Sequence, residues 1–185
     1  MRACAFCRSP HHDNDADRLA MIQARVEKRD PEAILFLGNQ YVHEGLGLQK
    51  NMQKAIKLYT EAAELDSIEA NFRLGCAYDH GEGVEQDLAT AAEFYKKAAM
   101  QGHALSRYNL GCYEGKRGDH DRAVRHVLIS AKMGHLKSVQ TIKNILMQGL
   151  ATKEQYAEAL KGCQDAVEET KSHDRDEAKR LGQRK

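Results

Sequence analysis

The first residues of this 185-residue chain that could do chemistry are two cysteines near the amino terminus. Cys4 and Cys7 are separated by two residues, the spacing with which one loop supplies two ligands to a zinc ion. His11 and His12 could complete a set of four ligands, but adjacent histidine side chains tend to point apart. We therefore expect no cofactor in the chain as it stands, and zinc only if other residues complete this half-site.

A second candidate pair is Cys76 and His80, which are four residues apart and would lie on one face of a helix. Such a pair can act as a nucleophile with its base, or as two ligands of a metal ion. No third partner accompanies the pair in the sequence. We therefore interpret both residues as packed or solvent-exposed side chains.

Two further patterns match active-site motifs only in part. His43-Glu44 begins like the zinc-protease motif, but Gly47 occupies the position of the second histidine. Gly81 and Gly83 lack the Gly-Lys-Ser or Gly-Lys-Thr ending of a phosphate-binding loop, so we interpret them as a turn between helices. The sequence therefore assigns no catalytic residue, and we expect the protein not to be an enzyme.

The elements that would position these residues recur along the chain. A Leu-Gly pair begins at positions 37, 74 and 110, in steps of 37 and 36 residues. The first aromatic residue of the second helix recurs from Tyr59 to Tyr95, and the Gly-x-Gly turn recurs from Gly45 to Gly81. A repeat of this length is typical of stacked helical hairpins. We predict an all-α fold, an α/α superhelical solenoid without a β-sheet.

The repeat divides the chain into segments. Leu19, Ile22 and Val26 form one apolar stripe, which predicts a helix that covers the end of the stack, with Asp13 or Asp15 as its N-cap residue. The solenoid is predicted to span residues 13–170. Before it, residues 1–12 are predicted to be a disordered tail or zinc-finger remnant, and after it residues 171–185 a charged tail. Within the solenoid, the capping helix at 13–29 precedes repeats at about 31–66, 67–102, 103–134 and 135–170.

Residues suited to helix starts occur in register. Asp30 is expected to cap a helix with Pro31 in its first turn, where the missing N–H costs nothing. Thr152 and Gln155 have the spacing of a capping box. The second helices of three repeats are expected to begin after the N-cap residues Asn51, Asp87 and Asp119.

The glycine of the Leu-Gly pair has a predicted packing role. Glycine disfavours a helix by about 1 kcal/mol, so Gly38 is expected where a neighbouring helix leaves no room for a Cβ. In the third repeat the turn is shorter and His126 is expected to replace the tyrosine, whereas in the fourth Lys143 replaces the glycine and predicts an open face. His103 and His135 each follow a helix-ending glycine, and we interpret them as neighbours of C-terminal caps.

Composition narrows the class of partner and the compartment. The net charge of +1 argues against a nucleic-acid-binding protein, and no apolar run reaches the roughly 20 residues that span a bilayer. The first twelve residues lack the apolar core of a secretory signal, so we expect an intracellular protein, cytoplasmic or nuclear, with reduced cysteines. We expect a monomer or weak oligomer.

The best-preserved repeat carries a family resemblance. From Ala70 to Gly102 the chain reads Ala-x-x-x-Leu-Gly-x-x-Tyr-x-x-Gly-x-Gly-Val-x-x-Asp-x-x-x-Ala-x-x-x-Tyr-x-x-Ala-Ala-x-x-Gly. This pattern resembles the Sel-one-like repeat (SLR), a relative of the tetratricopeptide repeat, over roughly residues 31–150. The resemblance implies a superhelix whose concave side binds proteins, often as an adaptor. Secreted bacterial members carry a disulfide in each repeat, whereas this chain lacks paired cysteines within its repeats, which favours an intracellular member.

The tetratricopeptide register implies which residues face the concave groove. They would come from the first helix of each repeat and would bind a peptide or protein. The alternative is that the bulky members Leu35, Phe72 and Tyr108 pack against the preceding repeat. The implied set is Leu35, Asn39, Val42 and His43 in the first repeat, Phe72, Cys76, Asp79 and His80 in the second, and Tyr108, Cys112 and Lys116 in the third.

The amino terminus carries a weaker resemblance. Cys4-x-x-Cys7 followed by Arg8 resembles the end of a RING-type zinc finger, although Ala5 stands where proline is usual and six ligands are missing. Some RING-type ubiquitin ligases carry SLRs. The resemblance therefore implies, beside a non-enzymatic adaptor, a truncated ubiquitin ligase whose repeats recruit substrate.

Overall fold

The computed structural model describes the backbone of residues 14–182 and the side chains of residues 14–170. In this part of the chain all regular structure is helical, with a 3-10 turn at Gly45–Gly47, which confirms the predicted all-α class. The helices are α1 (Asp15–Glu27), α2 (Pro31–His43), α3 (Met52–Glu64), α4 (Ile68–His80), α5 (Leu88–Met100), α6 (Ala104–Lys116), α7 (His120–Lys132), α8 (Leu136–Met147) and α9 (Lys153–Gly182).

The helix starts follow from short polar side chains that accept backbone N–H groups. Asp30 accepts from Glu32 N at 3.1 Å, with Pro31 beginning α2 as predicted. The predicted caps of α3, α5 and α7 are confirmed, because Asn51, Asp87 and Asp119 each accept a backbone N–H of the first turn. The capping box is also confirmed, since the Thr152 N–H donates to Gln155 Oε1 and the Gln155 N–H to Thr152 Oγ1.

The start of α1 differs from the prediction. Asn14 is the N-cap, because its Oδ1 accepts from Asp17 N at 2.7 Å, whereas Asp15 is the first residue of the helix. The other predicted cap, Asp13, lies outside the described residues. An amide oxygen caps as well as a carboxylate, so composition alone did not separate these neighbours.

The chain divides into two compact units, residues 1–94 and 95–185. In the first unit α3 packs against both α2 and α4. Val26, the last residue of the predicted α1 stripe, packs on its core. Leu19 and Ile22 are half-buried on the same helix face, as the stripe predicts. One buried core cluster of this unit contains Ile34, Leu35, Ala55, Tyr59, Ala62, Ala70 and Leu74.

In the first repeat, the glycine of the Leu-Gly pair lies at a close contact between two helices. A Cβ added to Gly38 would lie 2.7 Å from Tyr59 Cε1 and 2.9 Å from Cδ1, distances that real Cβ atoms do not adopt. Tyr59 is 3% exposed, and its hydroxyl donates to Asn39 Oδ1 at 2.7 Å. Burial raises the pKa of Tyr59 to about 12. The glycine is therefore required because an aromatic ring lies against the backbone of α2.

The second unit has the same contact with a different partner. A Cβ on Gly111 would lie 2.7 Å from Val127 Cγ2 and 3.1 Å from the Ala123 carbonyl oxygen. The prediction that His126 replaces the tyrosine is therefore wrong. Val127 is 1% exposed and occupies that position, whereas His126 is half-buried beside it. Val127 follows the cap Asp119 by eight residues, as Tyr59 follows Asn51, so the N-cap gives the correct register.

The end of the second unit is built on α7, α8 and α9. Its core joins Val127, Ala131, Ile142 and Ala159. The predicted open face is consistent with Lys143, which is exposed. The chain remains helical to Gly182, well into the segment expected to be a charged tail.

His103 and His135 have a role that the sequence analysis missed. Each lies at the start of the next helix, as the N-cap residue of α6 and α8 respectively. His103 Nδ1 accepts from Ser106 N at 3.2 Å. His135 Nδ1 lies 2.8 Å from Ser138 Oγ, which donates to Ser130 Oγ at 2.9 Å. Both histidines therefore connect helix starts to buried hydroxyl groups.

Candidate protein-binding surface

The predicted partner-binding residues all lie on the first helices of the repeats. In the first unit α2 carries Leu35, Asn39 and His43, and α4 carries Phe72, Cys76, Asp79 and His80; in the second unit α6 carries Tyr108 and Cys112. Their positions within the helices follow from the caps described above. Their exposure separates them into packing residues and surface residues.

Leu35 and Phe72 are packing residues. Leu35 is 6% exposed and belongs to the buried core of the first unit. Phe72 is 8% exposed, and the Arg73 guanidinium lies 5.6 Å from its ring centroid. The Leu35 methyl groups and the Phe72 ring therefore offer little surface area to a partner.

Asn39 has a structural contact. It is half-buried, and its Oδ1 accepts the hydrogen bond from the Tyr59 hydroxyl. A substitution at Asn39 would therefore leave a buried phenol without its acceptor. Any loss of binding in such a variant would be confounded by a loss of stability.

The carboxyl-terminal turns of α2 and α4 present polar residues. His43 and His80 are exposed, and Asp79 is half-buried. The His80 Nδ1 lies 2.9 Å from the backbone carbonyl oxygen of Cys76, which accepts a hydrogen bond from a protonated Nδ1. This contact directs the His80 ring towards the backbone of the preceding turn.

A metal site would need several His, Cys, Asp or Glu side chains close together. Among the side chains that the structure describes, no group of three or more His, Cys, Asp and Glu residues is placed to hold a metal ion. The predicted zinc half-site at Cys4 and Cys7 lies outside the described residues. None of the helices in the described part is both long and apolar enough to cross a bilayer.

Tyr108 is the centre of the corresponding surface in the second unit. Its ring centroid lies 5.0 Å from that of His135, and Lys137 Nζ lies 5.3 Å from the Tyr108 centroid. Thr141 Oγ1 lies 3.5 Å from the Tyr108 hydroxyl oxygen. Tyr108 itself is half-buried and packs on the core of the unit. Cys112, one turn further along α6, is a half-buried free thiol.

The sequence analysis missed the neighbours of Tyr108. Lys137 and Thr141 belong to the fourth repeat, for which no partner-binding residue was predicted. A usable signal was available, because His135 follows a glycine as His103 does. Counting from that histidine places Lys137 on the first turn of α8.

Two histidines of the second unit have shifted pKa values. Burial lowers the pKa of His126, and the nearby Arg107 guanidinium lowers it further. Among the residues that the structure describes, none forms a hydrogen bond with the buried Nδ1 of His126. Burial also lowers the pKa of His135, with a further contribution from Lys137. Both rings are therefore held in the neutral form near neutral pH.

The capped helical hairpins and the glycines beneath buried side chains define a helical-repeat protein. A family model for the Sel1 repeat matches residues 31–67, 68–103 and 104–135. These matches cover more than half of the chain, so the chain belongs to the Sel1 repeat family. Sel1 repeat proteins mediate protein–protein interactions.

Similar proteins support the fold and its family. The chain is 28% identical over 125 residues to the ERAD-associated E3 ubiquitin-protein ligase component HRD3B of Arabidopsis thaliana, an alignment that covers 66% of this chain and 20% of that protein. The chain therefore spans about a fifth of the length of this relative.

Two solved structures share the SLR solenoid fold. One is a protective antigen of uropathogenic Escherichia coli strains, with a TM-score of 0.71 and 29% identity over 82% of this chain and 33% of that one. The other is a Sel1 repeat protein from Oxalobacter formigenes, with a TM-score of 0.70 and 27% identity over 82% of this chain and 64% of that one.

Proposed function

We propose that this protein is a non-enzymatic scaffold or adaptor that binds a protein or peptide on the concave surface of the first helices. The observation that carries the proposal is the difference in burial along these helices. Their bulky residues Leu35 and Phe72 are buried, whereas His43 and His80 remain exposed. Polar side chains on rigid, capped helices suit the recognition of a peptide or helix.

The test is the capture of partners by the full chain and by a charge-reversed variant. Asp79→Lys alters the half-buried carboxylate on α4. Glu93→Lys is the matched control, because Glu93 is exposed on α5, a second helix of a repeat. In a pull-down read by mass spectrometry, a set of proteins should be retained by the control and lost by Asp79→Lys. Equal capture by both variants, with unchanged thermal unfolding, would contradict the proposed surface.

The proposal includes an intracellular location, cytoplasmic or nuclear, and no cofactor. Fluorescence microscopy of the tagged chain tests the location. Elemental analysis of the purified chain tests the cofactor, and stoichiometric zinc would instead support a completed finger at Cys4 and Cys7.

A second candidate function is a RING-type ubiquitin ligase whose repeats recruit substrate. Two observations favour it: the spacing of Cys4 and Cys7, and the similarity to a protein named as a ubiquitin-ligase component. Genomic DNA upstream of the coding sequence should then encode six further Cys or His ligands. If those ligands are absent and the full chain transfers no ubiquitin in the presence of a charged conjugating enzyme, this candidate is excluded.

A further inference from the structure

The first helices of the two units differ in charge. Of the residue types Asp, Glu, Lys and Arg, α2 in the first unit contains only Glu32. Helix α4 contains two acidic residues and one arginine. In the second unit α8 contains two lysines and no acidic residue. The charged residues of α6 and α8 are Arg107, Lys116, Lys137 and Lys143 against the single carboxylate of Glu114.

One of these cations lies against an aromatic ring. Lys137 is exposed, and its Nζ lies 5.3 Å from the Tyr108 ring centroid, within the range of a cation–π contact. No carboxylate pairs with Lys137 among the described side chains, whereas Lys132 of the same unit pairs with Glu158. The Lys137 ammonium is therefore localised on the surface and is available to an external anion.

Polar residues extend this surface along α8. Thr141 and Asn144 follow Lys137 by four and seven residues, which places all three on one face of the helix. Thr141 is within 3.5 Å of the Tyr108 hydroxyl, and Asn144 is exposed and accepts from Gln140 Nε2 at 3.0 Å. We call Tyr108, Cys112, Lys137, Thr141 and Asn144 the Tyr108–Lys137 surface.

We propose that the Tyr108–Lys137 surface binds an acidic peptide segment of a partner protein. A carboxylate of the peptide pairs with the Lys137 ammonium, and an adjacent apolar side chain packs on the exposed part of the Tyr108 ring. The amide of Asn144 provides hydrogen-bonding groups for the peptide backbone. The inference rests on the proposed function, because it names the chemistry of the partner for one part of the binding surface.

Charge favours this occupant over nucleic acid, and concentration dependence distinguishes it from a second copy of the chain. Nucleic acid requires a broad basic face, whereas the whole chain carries a net charge of only +1. A second copy of the chain would have to insert its own acidic residues, and it would make binding depend on protein concentration. Both alternatives are distinguishable outcomes of the experiment below.

The experiment measures binding of the full chain to fluorescein-labelled peptides by anisotropy at about 150 mM salt, where long-range attraction is screened. The probe is a pool of peptides that alternate Glu or Asp with Leu or Phe, and the comparison pool has Lys in place of each acid. The acidic pool should bind with measurable affinity. Lys137→Glu should weaken that binding roughly five- to tenfold, and Lys137→Arg should retain it.

Lys143→Glu provides the matched control, because it changes the same charge on the same helix. Lys143 is six residues from Lys137 and therefore lies on a different face of α8. It should change the affinity less than about twofold. Circular dichroism melts of each variant verify that both fold, and Lys137→Gln gives a second, uncharged test of the same position.

Four results would overturn the inference. These are no binding of the acidic pool, equal losses for Lys137→Glu and Lys143→Glu, an equal affinity for a single-stranded oligonucleotide, or Lys137-dependent self-association in sedimentation. If the peptide assay fails while the Asp79→Lys pull-down still loses partners, only this inference is wrong. If the pull-down also shows no loss, the proposed function fails as well.

Discussion

The Leu-Gly position packs against a tyrosine in the first unit and against a valine in the second. Gly38 lies under the ring of Tyr59, whose hydroxyl is bonded to Asn39. Gly111 lies under a methyl group of Val127, and the buried Nδ1 of the adjacent His126 has no hydrogen-bond partner in the described part of the chain. Both glycines leave no room for a Cβ, but the polar groups beside them differ: one unit has a hydrogen bond there and the other a buried nitrogen. At this contact, the close approach of the two helices is therefore kept more strictly than the type of side chain that lies over the glycine.

The largest expected effect comes from adding a side chain at Gly38, where the two helices are in close contact. Gly38→Leu should reduce the free energy of unfolding by about 3 kcal/mol, because a side chain must displace the buried ring of Tyr59. Gly115→Ala is the matched control, since its Cβ would lie 3.6 Å from Ala123 Cβ, an ordinary contact. The control should be neutral or stabilising by up to about 1 kcal/mol. Urea denaturation followed by circular dichroism measures both, and equal stabilities would show that Gly38 does not face α3.

The second effect tests which residue fills the contact in the second unit. Val127→Ala should cost roughly 2 kcal/mol, because it opens a cavity over Gly111. His126→Ala should cost much less, since it removes an unpartnered polar nitrogen together with the packing of a half-buried ring. The same denaturation assay compares them. A larger loss for His126→Ala would restore the histidine as the counterpart of Tyr59.

The third effect isolates the polar difference between the units. Tyr59→Phe removes the hydroxyl but keeps the ring, so it should cost about 1 kcal/mol. Tyr78→Phe is a suitable control, because Tyr78 is half-buried and stacks on Phe94 with its ring. Thermal unfolding of both variants gives the comparison. An unchanged midpoint for Tyr59→Phe would mean that the bond to Asn39 adds no net stability.

The sequence predicted the helical class, the repeat spacing and most helix starts, because these depend on local signals. The caps Asn51, Asp87 and Asp119, for example, each bond to a backbone N–H only three residues away. Prediction from the sequence was wrong or incomplete where a residue's role depends on contacts between two helices. Val127 was overlooked because histidine resembles tyrosine more closely, and Leu35 was compatible with both a core and a groove. Lys137 was missed because the predicted binding residues came only from the first three repeats.

The smallest expected effect is a pH dependence that belongs to the second unit. The pKa values of His126 and His135 are lowered in the folded chain, so the unfolded chain binds more protons below about pH 6.5. Stability should therefore fall as the pH decreases through this range. The charged groups involved are Arg107, Glu114 and Arg122 around His126, and Lys137 beside His135.

A double variant, His126→Gln with His135→Gln, separates this linkage from general acid sensitivity. The free energy of unfolding of the native chain should be lower at pH 5.5 than at pH 7.5, and the difference should shrink in the double variant. Asp30 is not expected to contribute, because its pKa is lowered below 3.8 and its carboxylate remains charged throughout this range. If the double variant kept the full difference, the acid sensitivity would come from other groups. The lowered pKa values of His126 and His135 would then contribute nothing measurable to the pH dependence of stability.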